Sequence, residues 1–135
     1  MNNTAKKEDD RAERKALAQI ESIEDMVENL KNAIEEGDDC AEDNARQTIS
    51  EDPLSVQVRE DWHSPSEKGE NTEFNILLCW GGPAVRIVGD IGLDSEPENV
   101  RVEYQDWFTG WEEYRMTEEQ EEAVLTYCRQ FYFDE

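Results

Sequence analysis

Between Lys6 and Glu36 the chain holds no glycine and no proline. Ala, Leu, Lys, Arg and Glu predominate there, the residues that lose least on entering a helix. Ala16, Ile20, Ile23, Val27, Leu30 and Ile34 recur at alternating steps of four and three. The spacing predicts one long helix over about 6–36. Ile20, Val27 and Ile34 form one column of a heptad seam, and Ala16, Ile23 and Leu30 form the other. Leu17 and Met26 widen the apolar stripe beyond a strict seam, and Gly37 is placed to end the helix. A helix of this length with one apolar stripe must bury it against something, and that constrains the fold more than any other feature. Two solutions are open: the helix packs on the rest of its own chain, or it pairs with a second copy through Ile20, Val27 and Ile34.

Downstream, Ala41, Ala45 and Ile49 make a weak inner stripe for a short second helix over 39–49, which Asp52-Pro53 then breaks. Leu54, Val56 and Val58 alternate with Ser55, Gln57 and Arg59, as in a half-buried strand. The segment HSPSEKGEN (63–71) is a loop by its Pro, Ser and Gly content. Phe74–Trp80 is almost continuously apolar and reads as a central strand, with Trp80 inside. Gly81-Gly82-Pro83 turns the chain, Ala84–Val88 returns, and Val100, Val102 and Tyr104 alternate once more. The stretch 107–114, with Gly110 inside it, is an aromatic bend or a last short strand. Thr117 and Gln120 have capping-box spacing and open a helix with Val124, Tyr127, Cys128 and Phe131 on one face.

Strands follow strands rather than alternating with helices, so the expected class is α+β. It comprises a long N-terminal helical arm, a small antiparallel sheet of about four strands, and a C-terminal helix packed on that sheet. Residues 1–52 form the acidic helical arm and 53–135 the α+β domain.

Charge sets the class of partner. Thirty-five carboxylates against thirteen Lys and Arg give a net charge of −22. Residues 1–52 carry −9 and residues 53–135 carry −13, so the excess is no acidic tail. A field of this sign disfavours anionic membranes and nucleic acid and favours basic surfaces, among which nucleic-acid-binding grooves are the commonest. On the first helix Glu21, Glu28 and Glu35 repeat every seven residues, with Glu24 and Asp25 between, and Asp38, Asp39, Glu42 and Asp43 follow. Helix side chains three or four apart sit ~5–6 Å from one another, which is of the order of phosphate spacing along a DNA strand. These acids are the candidate partner-binding surface. Repulsion between two chains of −22 favours the monomer over the homodimer.

Catalytic patterns are missing from the sequence. His63 is the sole histidine, and its neighbour Ser64 lies in a flexible loop without the orienting carboxylate that a Ser–His pair requires. There is no CxxC, HExxH or GxxxxGK[ST]. Gly81-Gly82 runs from strand to strand through Pro83, as a hairpin turn does. The acids 38–43 do not match the twelve-residue calcium loop and read as a solvated turn. Cys40, Cys79 and Cys128 are odd in number and far apart, which suits neither a disulfide framework nor a zinc site. The expectation is a reduced cytoplasmic protein that is not an enzyme and uses no metal or cofactor.

The pieces NILLCWGGPAVRIVGD (75–90), VEYQDWFTGWEEY (102–114) and LTYCRQFYF (125–133) resemble a family of small uncharacterised proteins of bacteriophages and prophages. Trp80, Gly81, Gly82, Pro83, Gln105, Asp106, Trp107 and the C-terminal aromatics carry the likeness, which spans somewhat under half of the chain. It implies a context and no catalytic residues. Small acidic phage proteins include anti-CRISPR and anti-restriction inhibitors, many of which mimic DNA. Trp107, Phe108, Trp111 and Tyr114 read first as core or sheet-face packing, and Trp107 and Trp111 are the two expected to be partly exposed and usable as interface anchors. The expected function is non-catalytic inhibition of a basic, nucleic-acid-binding host complex. The alternative is an acidic protein–protein adaptor that uses the heptad helix.

Overall fold

The computed structural model describes residues 3–106, 110–131 and 133, and for residues 3–10 the backbone alone. The order is α1 (Asn3–Glu36), α2 (Asp39–Glu51), β1 (Ser55–Glu60), β2 (Asn71–Cys79), β3 (Pro83–Asp90), β4 (Arg101–Asp106), β5 (Glu112–Tyr114) and α3 (Glu118–Cys128). The five strands form one antiparallel sheet in sequence order. The class is α+β, with five strands instead of four. The fifth spans three residues, too few for alternation to announce it.

The helix boundaries follow local chemistry. Gly37 has φ +69°, where a Cβ would be strained, and it closes α1. Its N–H donates to Ile34 O at 3.1 Å and that of Asp38 to Ala33 O at 3.2 Å, the Schellman pairing. Asp38 then caps α2, accepting from the Ala41 N–H at 3.1 Å. On α3 the Thr117 hydroxyl accepts from Gln120 N–H at 3.2 Å, and Gln120 Oε1 accepts from Thr117 N–H at 2.9 Å.

The heptad stripe is spent on the chain's own core. Ala16, Ile20 and Ile23 are fully buried, and Val27 and Leu30 nearly so. They share one hydrophobic cluster with Ile49 of α2, with Phe74, Ile76, Val85, Ile87 and Val102 of the sheet, and with Val124, Tyr127 and Cys128 of α3. α1 packs along α2 and α3 and lies across β3 and β4. Ile34 departs from the expected column and is 49% exposed, Ala33 taking the inward position in its place. A homodimeric seam through Ile20 and Val27 would therefore require this core to open. Among the described residues, no helix is long and apolar enough to cross a membrane.

Two strand expectations need correction. Val56 and Val58 stand opposite Ile76 and Phe74, on the inward face of the sheet. Yet they are 40% and 38% exposed, and Leu54 is more exposed still, because β1 is an edge strand that overhangs the helical layer. Trp80, expected inside as the end of the continuous apolar run, is 70% exposed. The β2–β3 register slips between Leu77 and Cys79, so that Leu77 faces Arg86 and Cys79 faces Val85. One extra residue reverses the facing of everything beyond it. Cys79 packs on the core, and Trp80, just past the end of β2, is left to solvent.

Tyr127 ties the helical layer together. It is fully buried, and its hydroxyl donates to Asp52 Oδ2 at 2.8 Å, joining α3 to the end of α2. Burial first, and then the Asp52 carboxylate, push the phenol far above its ordinary range. Tyr127→Phe is expected to lose about 1.5 kcal/mol, the low end for hydrogen bonds to charged groups because Asp52 keeps contact with solvent. Urea denaturation with an unchanged m value checks this.

Candidate functional site

The candidate acids form a ridge over two consecutive helices. From Glu21 to Asp43 the chain carries ten carboxylates and one base, Lys31. Since Ile20, Ile23, Val27 and Leu30 take the inner side of α1, Glu21, Asp25 and Glu28 are left exposed at steps of four and three. Glu24 is partly buried on the flank of the stripe. Glu35 is exposed near the end of α1, and the two-residue link carries the ridge directly into α2. At 1.5 Å per residue, Glu21 to Glu35 spans about 21 Å, comparable to about six phosphates of one DNA strand along its axis.

The four acids around the α2 start are not equivalent. Asp38 is engaged as the cap, and Glu42 pairs with Arg46 at 3.0 Å one turn on. Asp39 and Asp43 are exposed. Among the described residues, no three His, Cys, Asp or Glu side chains converge as a metal centre would require. Electrostatically, then, the ridge is a row of carboxylates with one internal cation pair, and its field is directed to solvent.

The aromatic candidates divide. Trp107 and Phe108 lie outside the described residues. Trp111 is partly buried, with the Arg86 guanidinium 4.0 Å from its ring centre, a cation–π contact. Arg86 Nε and Nη2 both donate to Glu103 Oε1, at 2.9 and 2.7 Å. Trp111 is thus seated on a polar cluster of the outward sheet face, on another element from the ridge. Gln57, Arg59, Asn75, Arg101 and Glu103 surround Arg86 there, around a shallow hollow of about 650 Å³. The Asn75 Oδ1 is buried in that region with no hydrogen-bond partner among the described residues.

His63 lies apart from both regions. Its Nδ1 is 2.9 Å from the Ser64 carbonyl oxygen and its Nε2 is 3.3 Å from Glu60 Oε2. The carbonyl contact, and secondarily Glu60, raise its pKa. The ring therefore addresses the backbone of Ser64 rather than its hydroxyl.

Sequence reasoning missed the two most exposed tryptophans among the described residues, Trp62 at 99% and Trp80 at 70%. For Trp62 the available signal was its place beside the His63 loop, where no partner strand can cover it. Comparison of the chain with protein-family models, with curated proteins and with solved structures returns no match.

Proposed function

We propose that this chain acts without catalysis as an inhibitor of a nucleic-acid-binding bacterial defence complex, of the anti-CRISPR or anti-restriction kind. It presents the α1–α2 ridge to a basic groove in place of DNA, in the cytoplasm of the host cell. The observation that carries the reading is the run of ten carboxylates against Lys31 along two linked helices, eight of the ten exposed. Carboxylates held at near-phosphate pitch gain the same Coulomb attraction to a basic groove that DNA gains. The likeness of the second half of the chain to small phage proteins supplies the biological context. The adaptor alternative draws no support from the heptad stripe, since Ile20 and Val27 lie inside the core.

The test is capture of partners from bacterial lysate over a salt gradient. Recovery of a nuclease or a guide-RNA complex at low salt, lost progressively as salt rises, is the expected result. A partner retained unchanged through high salt, or one with no nucleic-acid-binding groove, would contradict the reading.

A further inference from the structure

The negative charge of this molecule is not spread evenly. Between Arg11 and Ile20, α1 carries three bases and one acid, the reverse of its second half. Arg11, Arg14 and Lys15 are spaced by three and four residues, so they share one side of the helix. The one acid, Glu13, is turned toward β4, where it accepts from the Tyr104 hydroxyl at 3.4 Å. The three bases look onto the β2–β3 turn. Together with Cys79, Trp80 and Pro83 they line an open hollow of about 640 Å³, and among the described residues no carboxylate lines it.

Trp80 is the second half of the observation. It lies just past the last residue of β2, and Gly81, at φ +128°, reverses the chain immediately after it. The ring is left 70% exposed beside three cations. An uncovered indole next to clustered Arg and Lys is the pairing that holds nucleotides: the ring stacks on a base while the cations take the phosphates. The acidic ridge does not cancel this field at a distance, because exposed charges are screened over about 8 Å at physiological salt.

We infer that this hollow binds a nucleoside phosphate, free or at the end of a single strand, with Trp80 stacked on the base and Arg11, Arg14 and Lys15 on the phosphates. The inference stands independently of the ridge and its proposed target. It also qualifies the expectation that the net charge keeps all nucleic acid away. Duplex DNA meets the whole field and is repelled. A short ligand seated on the three cations meets their local field ahead of that of the distant ridge.

The experiment uses the full chain with two probes at low salt, ATP and a fluorescein-labelled hexathymidylate with a 5′ phosphate, followed by calorimetry and anisotropy. Both are expected to bind at one site. The strand's log affinity should fall against log salt with a slope of about −2, for three phosphates engaged on a single strand. Trp80→Ala should weaken binding roughly five- to 150-fold, the range for loss of one base–aromatic stack. The triple change Arg11→Gln, Arg14→Gln, Lys15→Gln should remove both the binding and its salt dependence. Lys15→Gln alone serves if the triple variant fails to fold by circular dichroism, and it should lower the slope. Equal affinity for the two probes assigns the site to free nucleotides, and a strand at least tenfold tighter assigns it to strand ends. Failure of both probes to bind, or binding indifferent to Trp80→Ala, would overturn the inference. So would a triple variant that keeps nucleotide binding and instead loses a salt-sensitive self-association, since the hollow would then be a dock for the acidic ridge of a second copy.

Discussion

Ile20→Asp is expected to abolish cooperative folding, while Ile34→Asp, two heptads on in the same column, is expected to cost no more than about 0.5 kcal/mol. Ile20 is fully buried in the layer between α1 and the sheet, and Ile34 is 49% exposed. Truncating a buried Ile removes about 2–5 kcal/mol through lost transfer energy and the cavity left behind. An unpaired carboxylate placed there adds several kcal/mol more. The sum approaches or exceeds the 5–15 kcal/mol that holds a typical domain together. Urea titration of the two variants by circular dichroism checks the contrast. If Ile34→Asp proves as damaging as Ile20→Asp, the column is a single interhelical seam, and packing of α1 on its own sheet is not what stabilises it.

Reversing Glu21, Asp25 and Glu28 to Lys is expected to slow association with a basic partner by roughly ten- to a thousand-fold at low salt, the range that electrostatic steering spans. The three side chains are exposed neighbours on α1, and their reversal moves the net charge from −22 to −16. Stability should change little, since none of the three makes a contact that the core depends on. Stopped-flow association at several salt concentrations measures the effect. The wild-type rate should fall steeply with salt and the variant's only gently, so the two converge when the field is screened. An unchanged rate at low salt would remove this stretch of α1 from the binding surface.

What could be read from the residues and what could not have separable causes. The end of α1 at the Gly37 stop and the Thr117 box are local signals, written within a turn of where they act, and the structure carries both. β1 was legible as a strand and by facing, since Val56 and Val58 do stand on the inward side. Its exposure was not, because alternation says which way a side chain points and nothing of how far a neighbouring layer extends over it. Trp80 failed for a sharper reason: it lies just past the last residue of β2, and a run as apolar as NILLCW conceals where the strand stops. The same continuity hid the hollow at Trp80, whose cations lie more than sixty residues upstream on α1. The acids of the ridge were legible individually from the heptad. Their division into a cap, an ion pair and exposed groups depends on where α2 starts, which the Asp38 geometry settles. Arg86 on Trp111 arises from sheet register, with β3, β4 and β5 side by side, and nothing near either residue marks it.

The most direct measurement is competition for the captured partner between this chain and duplex DNA, made with the Arg11→Gln, Arg14→Gln, Lys15→Gln chain so that its basic hollow contributes nothing. The partner is immobilised and saturated with duplex, and the chain is titrated against it at constant salt. Occupation of the DNA groove by the α1–α2 ridge requires that each molecule of chain bound expel duplex, with no species containing all three. A ternary complex of partner, duplex and chain would contradict it.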